Sequence, residues 1–248
     1  MSNEVKQKNG VQESIPSIQL YEYSQICGAT DNKTYPKEFC LNTEEMGTCV
    51  KTQGTVGACV ACATSTALEA LKLRSLLNLP KGIPITEETL KKEVYGNDEI
   101  SEGYTYGTCR YDNSRIEGMI PTVCLDYLKK EGTVPKKYFN YLEEMPDIKE
   151  TAKKFPELKD IAKKYRISSY VTFNQARTTK DILIKDALME YRTPLVCIAP
   201  KKFGESHCIC LVGWDDSDET YYIKNSWGED WGDKGVGKVK KTDITQVY

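Results

Sequence analysis

The amino-acid sequence predicts an α+β fold with two segregated lobes, in which helices come first and an antiparallel sheet follows. Apolar residues recur at helical spacing in the first half of the chain, whereas short β-branched and aromatic runs dominate the second half. The clearest of these runs, residues 207–214 and 221–224, flank a polar segment and together indicate a β-hairpin. We therefore place a helical lobe at about residues 51–165 and a β lobe at about residues 166–248.

The composition favours a globular protein and argues against two classes of partner. The chain has 248 residues, of which 40% are hydrophobic, and a net charge of -2, so it is long enough to bury a sizeable core. Its longest apolar run, residues 58–63, is far shorter than the roughly 20 residues that cross a bilayer. No basic excess is present to bind phosphate groups. We expect a monomer with neither a membrane nor a nucleic-acid partner.

The first residues bear on the cellular location. Residues 1–14 are polar and lack the apolar core of roughly 7 to 15 residues that marks a secretory signal, which favours a cytoplasmic location. The ten cysteines would also suit an oxidising compartment if a signal had been removed from a mature chain. The sequence therefore leaves a secreted or lysosome-like location open.

The elements of the first half follow from periodicity and capping. Residues 1–50 show no sustained period and are interpreted as an irregular N-terminal extension. Apolar residues at helical spacing predict a helix over residues 59–79, ended by a proline and a glycine. A threonine cap followed by two glutamates favours a short helix over residues 86–93. A further amphipathic helix is predicted over residues 116–130, with Gly132 at its end.

The elements of the second half are mainly strands. Residues 167–173 alternate and are β-branched, which is typical of a strand. A helix is predicted over residues 180–192, and residues 195–199 form a short buried strand ended by a proline. The two strands of the hairpin, residues 207–214 and 221–224, follow.

Cys59 has the position of a reactive thiol. It opens the long predicted helix, where the helix dipole and free N–H groups favour the thiolate. Gln53, six residues upstream, has a neutral amide that could donate to a developing oxyanion beside the Cys59 N–H. Gly57 lets the backbone approach a substrate closely. These residues provide half of an acyl-transfer site.

The other half requires a base and a residue that orients it. The chain has one histidine, His207, so any chemistry that needs imidazole must use it. His207 starts the first hairpin strand and Asn225 ends the second, so folding of the hairpin brings both to the same end of the ladder. If the Asn225 amide oxygen accepts from one imidazole nitrogen, the other nitrogen is left to face Cys59.

Residues 225–235 resemble the asparagine motif of papain-like cysteine peptidases. They match N-S-W-G-x-x-W-G-x-x-G at every defined position. Residues 53–59 resemble the motif that surrounds the nucleophile of the same family. The resemblance covers about residues 50–240.

The resemblance implies a papain-like two-lobe fold with the active site in the cleft between the lobes. It implies a cysteine peptidase that hydrolyses polypeptides through a thioester, with a Cys-His-Asn triad and without a cofactor or a metal. The implied catalytic residues are Cys59, His207, Asn225 and Gln53. The expected substrate-binding residues are Gly57, Ser206, Glu205 and Trp227. By the same resemblance, Trp227 shields the hydrogen bond between histidine and asparagine from water.

Three departures from the family pattern concern packing and specificity. Val56 stands where many relatives carry a disulfide cysteine, Val60 replaces an aromatic residue, and Cys62 lies where an aromatic residue is common. Residues 103–113 lack the Gly-Gly pair that lines a specificity wall in many relatives, so the sequence does not predict the preferred substrate side chain.

Other functions would use parts of the same sequence. Cys59 and Cys62 form the C-x-x-C pair of a thiol–disulfide oxidoreductase, and with Cys208 and Cys210 they match the ligand count of a zinc site. Both alternatives leave the histidine and the asparagine motif unused. A binding protein that keeps the fold without catalysis is a third alternative, and a transpeptidase would use the same catalytic residues. The residues expected to fill the core are Cys62, Cys197, Cys208, Cys210 and Trp214.

Overall fold

The computed structural model has the predicted α+β architecture, with helices followed by an antiparallel sheet. The residues that the structure describes are 33–46, 49–87, 90, 99–110, 118–140, 156–173, 177–199, 202–203 and 206–248. Within these ranges, no helix combines the length and the apolar character needed to span a membrane. Five of the eight residues of the helix expected over residues 86–93, namely 88–89 and 91–93, lie outside the described residues.

Helices dominate the described chain before residue 195. They are α1 (Cys59–Leu76), α2 (Glu102–Cys109), α3 (Pro121–Lys130), α4 (Leu158–Ala162) and α5 (Arg177–Tyr191), with 3-10 turns at Thr43–Met46, Lys163–Tyr165 and Lys241–Asp243. Every residue of α1 from Cys59 to Thr66 is buried. A helical segment that is buried on all sides belongs to the centre of a core, and α1 contacts α2, α3 and the strands Leu195–Ile198 and Cys208–Asp215.

The strands form one antiparallel sheet. They are β1 (Glu38–Cys40), β2 (Leu195–Ile198), β3 (Cys208–Asp215), β4 (Thr220–Lys224), β5 (Val236–Lys240) and β6 (Gln246–Val247). The order is β5-β4-β3-β2-β6, and β1 pairs with the far end of β3. Cys210 lies opposite Lys224 and Asp215 lies opposite Thr220, which confirms the predicted hairpin.

The N-terminal segment contributes a strand, so the irregular structure expected throughout residues 1–50 is wrong for Glu38–Cys40. These residues pair with the end of β3, and Phe39 stacks on Trp214 with ring centroids 4.8 Å apart. A three-residue strand has no detectable period, and it is stabilised here by its partner strand and by this aromatic pair. Trp214 is fully buried, as expected. The proposed domain boundaries stay predictions.

Contact between α1 and β3 joins the helices to the sheet. The Cys210 thiol donates to the backbone oxygen of Ala63 at 3.2 Å. The four cysteines expected in the core are buried there as thiols; they are Cys62, Cys197, Cys208 and Cys210. Burial raises the pKa of each of these thiols, so they stay protonated near neutral pH.

Two helices have ends that differ from the prediction. α1 ends at Leu76, three residues early, because Asn78 adopts the left-handed conformation at φ 49° and stops the helix. α3 begins at Pro121 rather than at residue 116. Proline suits the first helical position, and it disfavours the α conformation in the residue before it.

The strand expected over residues 167–173 does not form. Thr172 lies in an isolated bridge, while the Ile167 N–H donates to Leu128 and the Phe173 N–H donates to Val247. The segment thus crosses from a helix to a sheet edge, and single hydrogen bonds to different neighbours do not build a ladder. By contrast, α5 and β2 lie where predicted to within three residues.

The sequence did not predict α2. Its glycines, threonines and tyrosines have modest helix propensity. The helix is stabilised at its start by Ser101, whose hydroxyl accepts from the Tyr104 N–H at 2.9 Å. The pair Ser101-Glu102, a cap followed by an acidic residue in the first turn, is the signal that indicates this helix.

The close approach of β1 to β3 requires a glycine at position 213. A Cβ atom there would lie 2.2 Å from the Phe39 carbonyl oxygen. We expect Gly213→Ala to lower the free energy of unfolding by about 1–3 kcal/mol, because backbone must shift to relieve the clash. Ser217→Ala, in the exposed turn of the same hairpin, should change it by less than about 0.5 kcal/mol. Equal values in urea titrations of the two variants would contradict this account.

Candidate active site

The turn before α1 presents Cys59 at the start of the helix. Gly54 adopts a positive φ of 58°, and the Ala58 N–H donates to the Val56 carbonyl at 2.8 Å. This tight turn places Cys59 as the first helical residue. The N–H groups of a first helical turn have no carbonyl partners within the helix, so this end of α1 favours negative charge.

The β3–β4 hairpin brings His207 and Asn225 together. His207 immediately precedes β3 and Asn225 immediately follows β4. His207 Nε2 lies 2.7 Å from Asn225 Oδ1, and both side chains are buried. The backbone of Asn225 is fixed separately, since its N–H donates to the Gly235 carbonyl at 2.9 Å. The two residues therefore meet as the sequence predicted.

A second hydrogen bond defines the orientation of the Asn225 amide. The Ser226 backbone N–H donates to Asn225 Oδ1 at 2.8 Å, so this atom is the amide oxygen rather than the nitrogen. An oxygen can only accept, so His207 Nε2 carries the proton and donates. His207 Nδ1 is then the basic nitrogen, and it is buried with no hydrogen-bond partner among the described residues. The imidazole thus has one oriented nitrogen and one available nitrogen.

Burial controls the ionisation of His207. It lowers the pKa of the imidazole from 6.5 to about 4, although the hydrogen bond to Asn225 opposes this change. The side chain has no exposed surface. The imidazole is therefore neutral near pH 7 unless a negative charge lies beside it.

Aromatic rings surround the imidazole. The Trp227 ring centroid lies 5.0 Å from that of His207, and the Phe203 centroid lies 4.8 Å from it. Phe203 also contacts Trp227 edge-on at 5.3 Å. These rings exclude water from the imidazole and account for its low pKa. The sequence indicated Trp227 but not Phe203, which is a single phenylalanine in a lysine- and glycine-containing loop and belongs to no motif.

Ser226 orients the Gln53 side chain. The Ser226 hydroxyl donates to Gln53 Oε1 at 2.6 Å, and Gln53 Nε2 donates to the Val56 carbonyl at 3.0 Å. Gln53 has no exposed surface. The amide nitrogen is therefore directed toward the turn that precedes Cys59. Sequence reasoning did not assign a role to Ser226, although its place in the asparagine motif was available as a signal.

Two chain segments pair beside the site. The Gln53 N–H donates to the Ser226 carbonyl at 2.9 Å, and the Gly228 N–H donates to the Lys51 carbonyl at 3.1 Å. Between these bonds, Thr52 and Trp227 form an antiparallel bridge. Residues 51–53 are thereby fixed against residues 226–228.

Two glycines of the asparagine motif are required by their surroundings. Gly232 adopts a φ of 62°, and a Cβ atom there would lie 2.2 Å from the Val236 carbonyl oxygen. Gly235 adopts a φ of 81°, and a Cβ atom there would lie 2.4 Å from the Val50 side chain. These two glycines therefore permit the conformation of the loop that follows Asn225. Gly235 also permits the contact of this loop with Val50, in the segment before Cys59.

The start of α1 lies beside the start of β3. A charge on Cys59 contributes to the raised pKa of Cys208, the residue after His207, although burial contributes more. Cys59 and His207 both have no exposed surface. The predicted nucleophile and base therefore belong to the same buried region.

Comparison with known proteins identifies the family. A model described as papain family cysteine protease matches residues 35–247. The chain belongs to the papain family of cysteine proteases.

Individual relatives are distant. Chymopapain from Carica papaya is 25% identical over 214 residues, which cover 84% of this chain and 55% of chymopapain. Xylellain, a cysteine protease from Xylella fastidiosa, matches with a TM-score of 0.68 at 18% identity, covering 100% of this chain and 97% of xylellain. The Carica candamarcensis cysteine protease CMS1MS2, solved in complex with E-64, matches with a TM-score of 0.55 at 17% identity, covering 86% of this chain and 97% of that protease. These structures establish the papain-like fold.

The chain spans about half the length of the curated papain-family relatives that match most of it, 55% and 56% in two cases. Two of the remaining predicted substrate-binding residues lie next to the residues of the site. Gly57 is buried in the turn before α1, and Ser206 lies half-buried beside His207. Glu205 lies outside the described residues.

Among the described residues, no group of three or more histidine, cysteine or acidic side chains is arranged to hold a metal ion.

The single histidine makes its ionisation directly measurable. In a Cys59→Ala variant, we expect the imidazole C–H resonances to titrate with a midpoint of about 4, because burial dominates once the thiol is absent. Proton-coupled nitrogen spectra at neutral pH should show the proton on Nε2. The same resonances in denaturant, which should titrate near 6.5, provide the control. A midpoint near 6.5 in the folded variant would show that the ring is not desolvated.

Proposed function

We propose that this papain-family chain is an active cysteine peptidase that hydrolyses peptide bonds through a thioester on Cys59. The observation that carries the proposal is the hydrogen bond from His207 Nε2 to Asn225 Oδ1. It leaves Nδ1 as an unpartnered base in the buried region that also contains the first residue of α1. A nucleophile at a helix start, a base and an orienting amide are the parts that acyl transfer requires.

The first step is acylation. The thiol proton of Cys59 passes to His207 Nδ1, and the thiolate at the positive end of α1 attacks the carbonyl carbon of the scissile bond. His207 then gives the proton to the departing amine nitrogen as the C–N bond breaks. The acyl part of the substrate remains bound to Sγ as a thioester, and Asn225 holds the imidazole in one orientation throughout.

The second step is deacylation. His207 Nδ1 accepts a proton from water as the water oxygen adds to the thioester carbon. The C–S bond breaks, the carboxylic acid product leaves, and His207 returns its proton to the sulfur, which restores the Cys59 thiol. If an amine replaced water in this step the product would be a new peptide bond, so mass spectrometry of products from a peptide mixture distinguishes hydrolysis from transpeptidation.

Gln53 stabilises the oxyanion in both steps. Its amide nitrogen and the Cys59 N–H are the two donors that we assign to the negatively charged oxygen of the tetrahedral intermediate. The hydroxyl of Ser226 supports this assignment, because it donates to the acceptor end of the Gln53 amide and so directs the donor end toward Val56, in the turn that precedes Cys59.

The substrate is a polypeptide in this proposal. The curated relatives that match most of the chain are proteases, and a structural neighbour was solved with E-64 bound. Gly57, Ser206, Glu205 and Trp227 stay the proposed substrate-binding residues. We expect a thiol-directed epoxide to label this chain at Cys59.

The alternatives based on the C-x-x-C pair fit the described residues less well. Burial raises the pKa of the Cys62 thiol well above its ordinary value, and the charge of Glu102 raises it further. A protonated thiol is a poor partner for disulfide exchange and a poor ligand for zinc. Cys62 lies one helical turn beyond Cys59 and is equally buried, which makes it a matched control for the nucleophile.

The nucleophile can be tested with this pair of cysteines. We expect Cys59→Ala to abolish both peptide hydrolysis and covalent labelling by a thiol-directed epoxide. Cys62→Ala should retain both, because its thiol has no role in the proposed chemistry. Steady-state assays and intact-protein mass spectrometry measure the two properties, and circular dichroism verifies the fold.

The outcomes separate the alternatives. Loss of labelling in both folded variants would favour a C-x-x-C function, and metal content would then be measured. Wild-type protein that is folded yet neither hydrolyses peptides nor reacts with the epoxide would favour a non-catalytic binding protein.

The assigned oxyanion donor leads to a second prediction for this site. Gln53→Ala should lower kcat by about 10²-fold with little change in KM, since the oxyanion forms only in the transition state. Ser226→Ala should lower kcat by about tenfold, the effect of losing one orienting hydrogen bond. Equal kcat values for wild type and Gln53→Ala would remove Gln53 from the oxyanion site.

A further inference from the structure

A buried lysine lies two residues before Gln53. The Lys51 side chain is 1% exposed, and its Nζ lies 2.8 Å from Glu69 Oε1 on α1 and 3.7 Å from Glu102 Oε2 on α2. Both glutamate side chains are also almost fully buried. One ammonium group thus joins the segment before the nucleophile to two helices.

The glutamates have further partners that fix their positions. Glu69 Oε1 also accepts from the Ile100 backbone N–H at 2.7 Å. Glu102 Oε1 lies 3.4 Å from Lys136 Nζ, which is itself one-third exposed. The charges of Glu69 and Glu102 raise the pKa of Lys51 although burial opposes them, so Lys51 remains a cation.

The backbone of Lys51 belongs to the segment that holds the oxyanion donor. Its carbonyl accepts from the Gly228 N–H, and Gln53 pairs with Ser226 in the same short ladder. Movement of Lys51 therefore moves both the Gln53 amide and the loop that follows Asn225. Burying a cation and two carboxylates is costly, and well-packed apolar side chains often stabilise a protein as well. Stability alone is therefore a weak reason for a charge at this position.

We propose that Lys51 is a positioning residue for Gln53. Its ion pair with Glu69 fixes the distance between Lys51 and α1. Its second ion pair, with Glu102 on α2, fixes the orientation of residues 51–53 relative to α1. The inference rests on the proposed function, because it assigns Lys51 to the oxyanion site of the peptidase.

A double-mutant cycle tests this assignment. Lys51→Met should lower kcat by about tenfold with KM changed less than about twofold, because the oxyanion donor is displaced while the substrate still binds. In a Gln53→Ala background the same substitution should lower kcat by less than about twofold, since the donor that it positions is absent. Active-site titration with the epoxide normalises each rate to the folded, reactive fraction.

Matched variants separate positioning from folding. Lys136→Met removes the more exposed lysine that pairs with Glu102. It should leave kcat within about twofold of wild type, because the Lys136 ammonium pairs with Glu99 at 3.2 Å and with Glu102 at 3.4 Å rather than with the segment that carries Gln53. If Lys51→Met alone fails to fold, Lys51→Met with Glu69→Gln removes the uncompensated carboxylate, and this double variant then takes its place in the cycle.

A readout that is independent of catalysis completes the test. The side-chain amide resonances of Gln53, identified by their loss in Gln53→Ala, should shift and exchange faster in Lys51→Met but not in Lys136→Met. This comparison decides the role of Lys51 even if the wild-type chain proves inactive, which would refute the proposed function separately. Equal kcat losses for Lys51→Met with and without Gln53, or an unchanged Gln53 amide, would overturn the inference.

Discussion

The site depends on the antiparallel pairing of residues 51–53 with residues 226–228. The first segment leads through a tight turn to Cys59, and the second follows directly on Asn225. Because Asn225 accepts a hydrogen bond from His207, this pairing connects the turn before α1 with the start of β3. Gly235 allows this arrangement, since any larger residue would collide with Val50. The pairing therefore links the helical part of the fold to the sheet at the place where the proposed chemistry occurs.

Burial around His207 has two opposite effects on this chemistry. It excludes water and lowers the pKa of the imidazole, which disfavours the imidazolium form. It also strengthens any charge–charge interaction, so a thiolate at Cys59 would stabilise the imidazolium more than it would in water. The thiolate and the imidazolium therefore stabilise each other, and in the proposed mechanism neither is expected without the other. Trp227 and Phe203 pack against the imidazole and contribute to this electrostatic effect by burying it.

Much of the fold and site could be predicted from the sequence, and the misses have physical causes. The hairpin, α5 and the contact between His207 and Asn225 follow from local periodicity and strand pairing. β1 and the course of residues 167–173 depend on distant partners, which a local pattern cannot reveal. The roles of Ser226 and Phe203 depend on side-chain positions reached only after folding. A single serine or phenylalanine gives no recognisable signal in one sequence. Glycines at fixed motif positions do give one, because they adopt backbone conformations that other residues disfavour.

Direct observation of the acyl-enzyme is the measurement that tests the central claim most closely. Folded protein is mixed with an ester or peptide substrate, quenched in acid within milliseconds, and digested for peptide mass spectrometry. The account predicts an increase in mass equal to the acyl group, bound as a thioester to the peptide that contains Cys59, and its loss on longer incubation as water hydrolyses it. An acyl group on another residue, or turnover of the substrate without any covalent intermediate, would contradict the account.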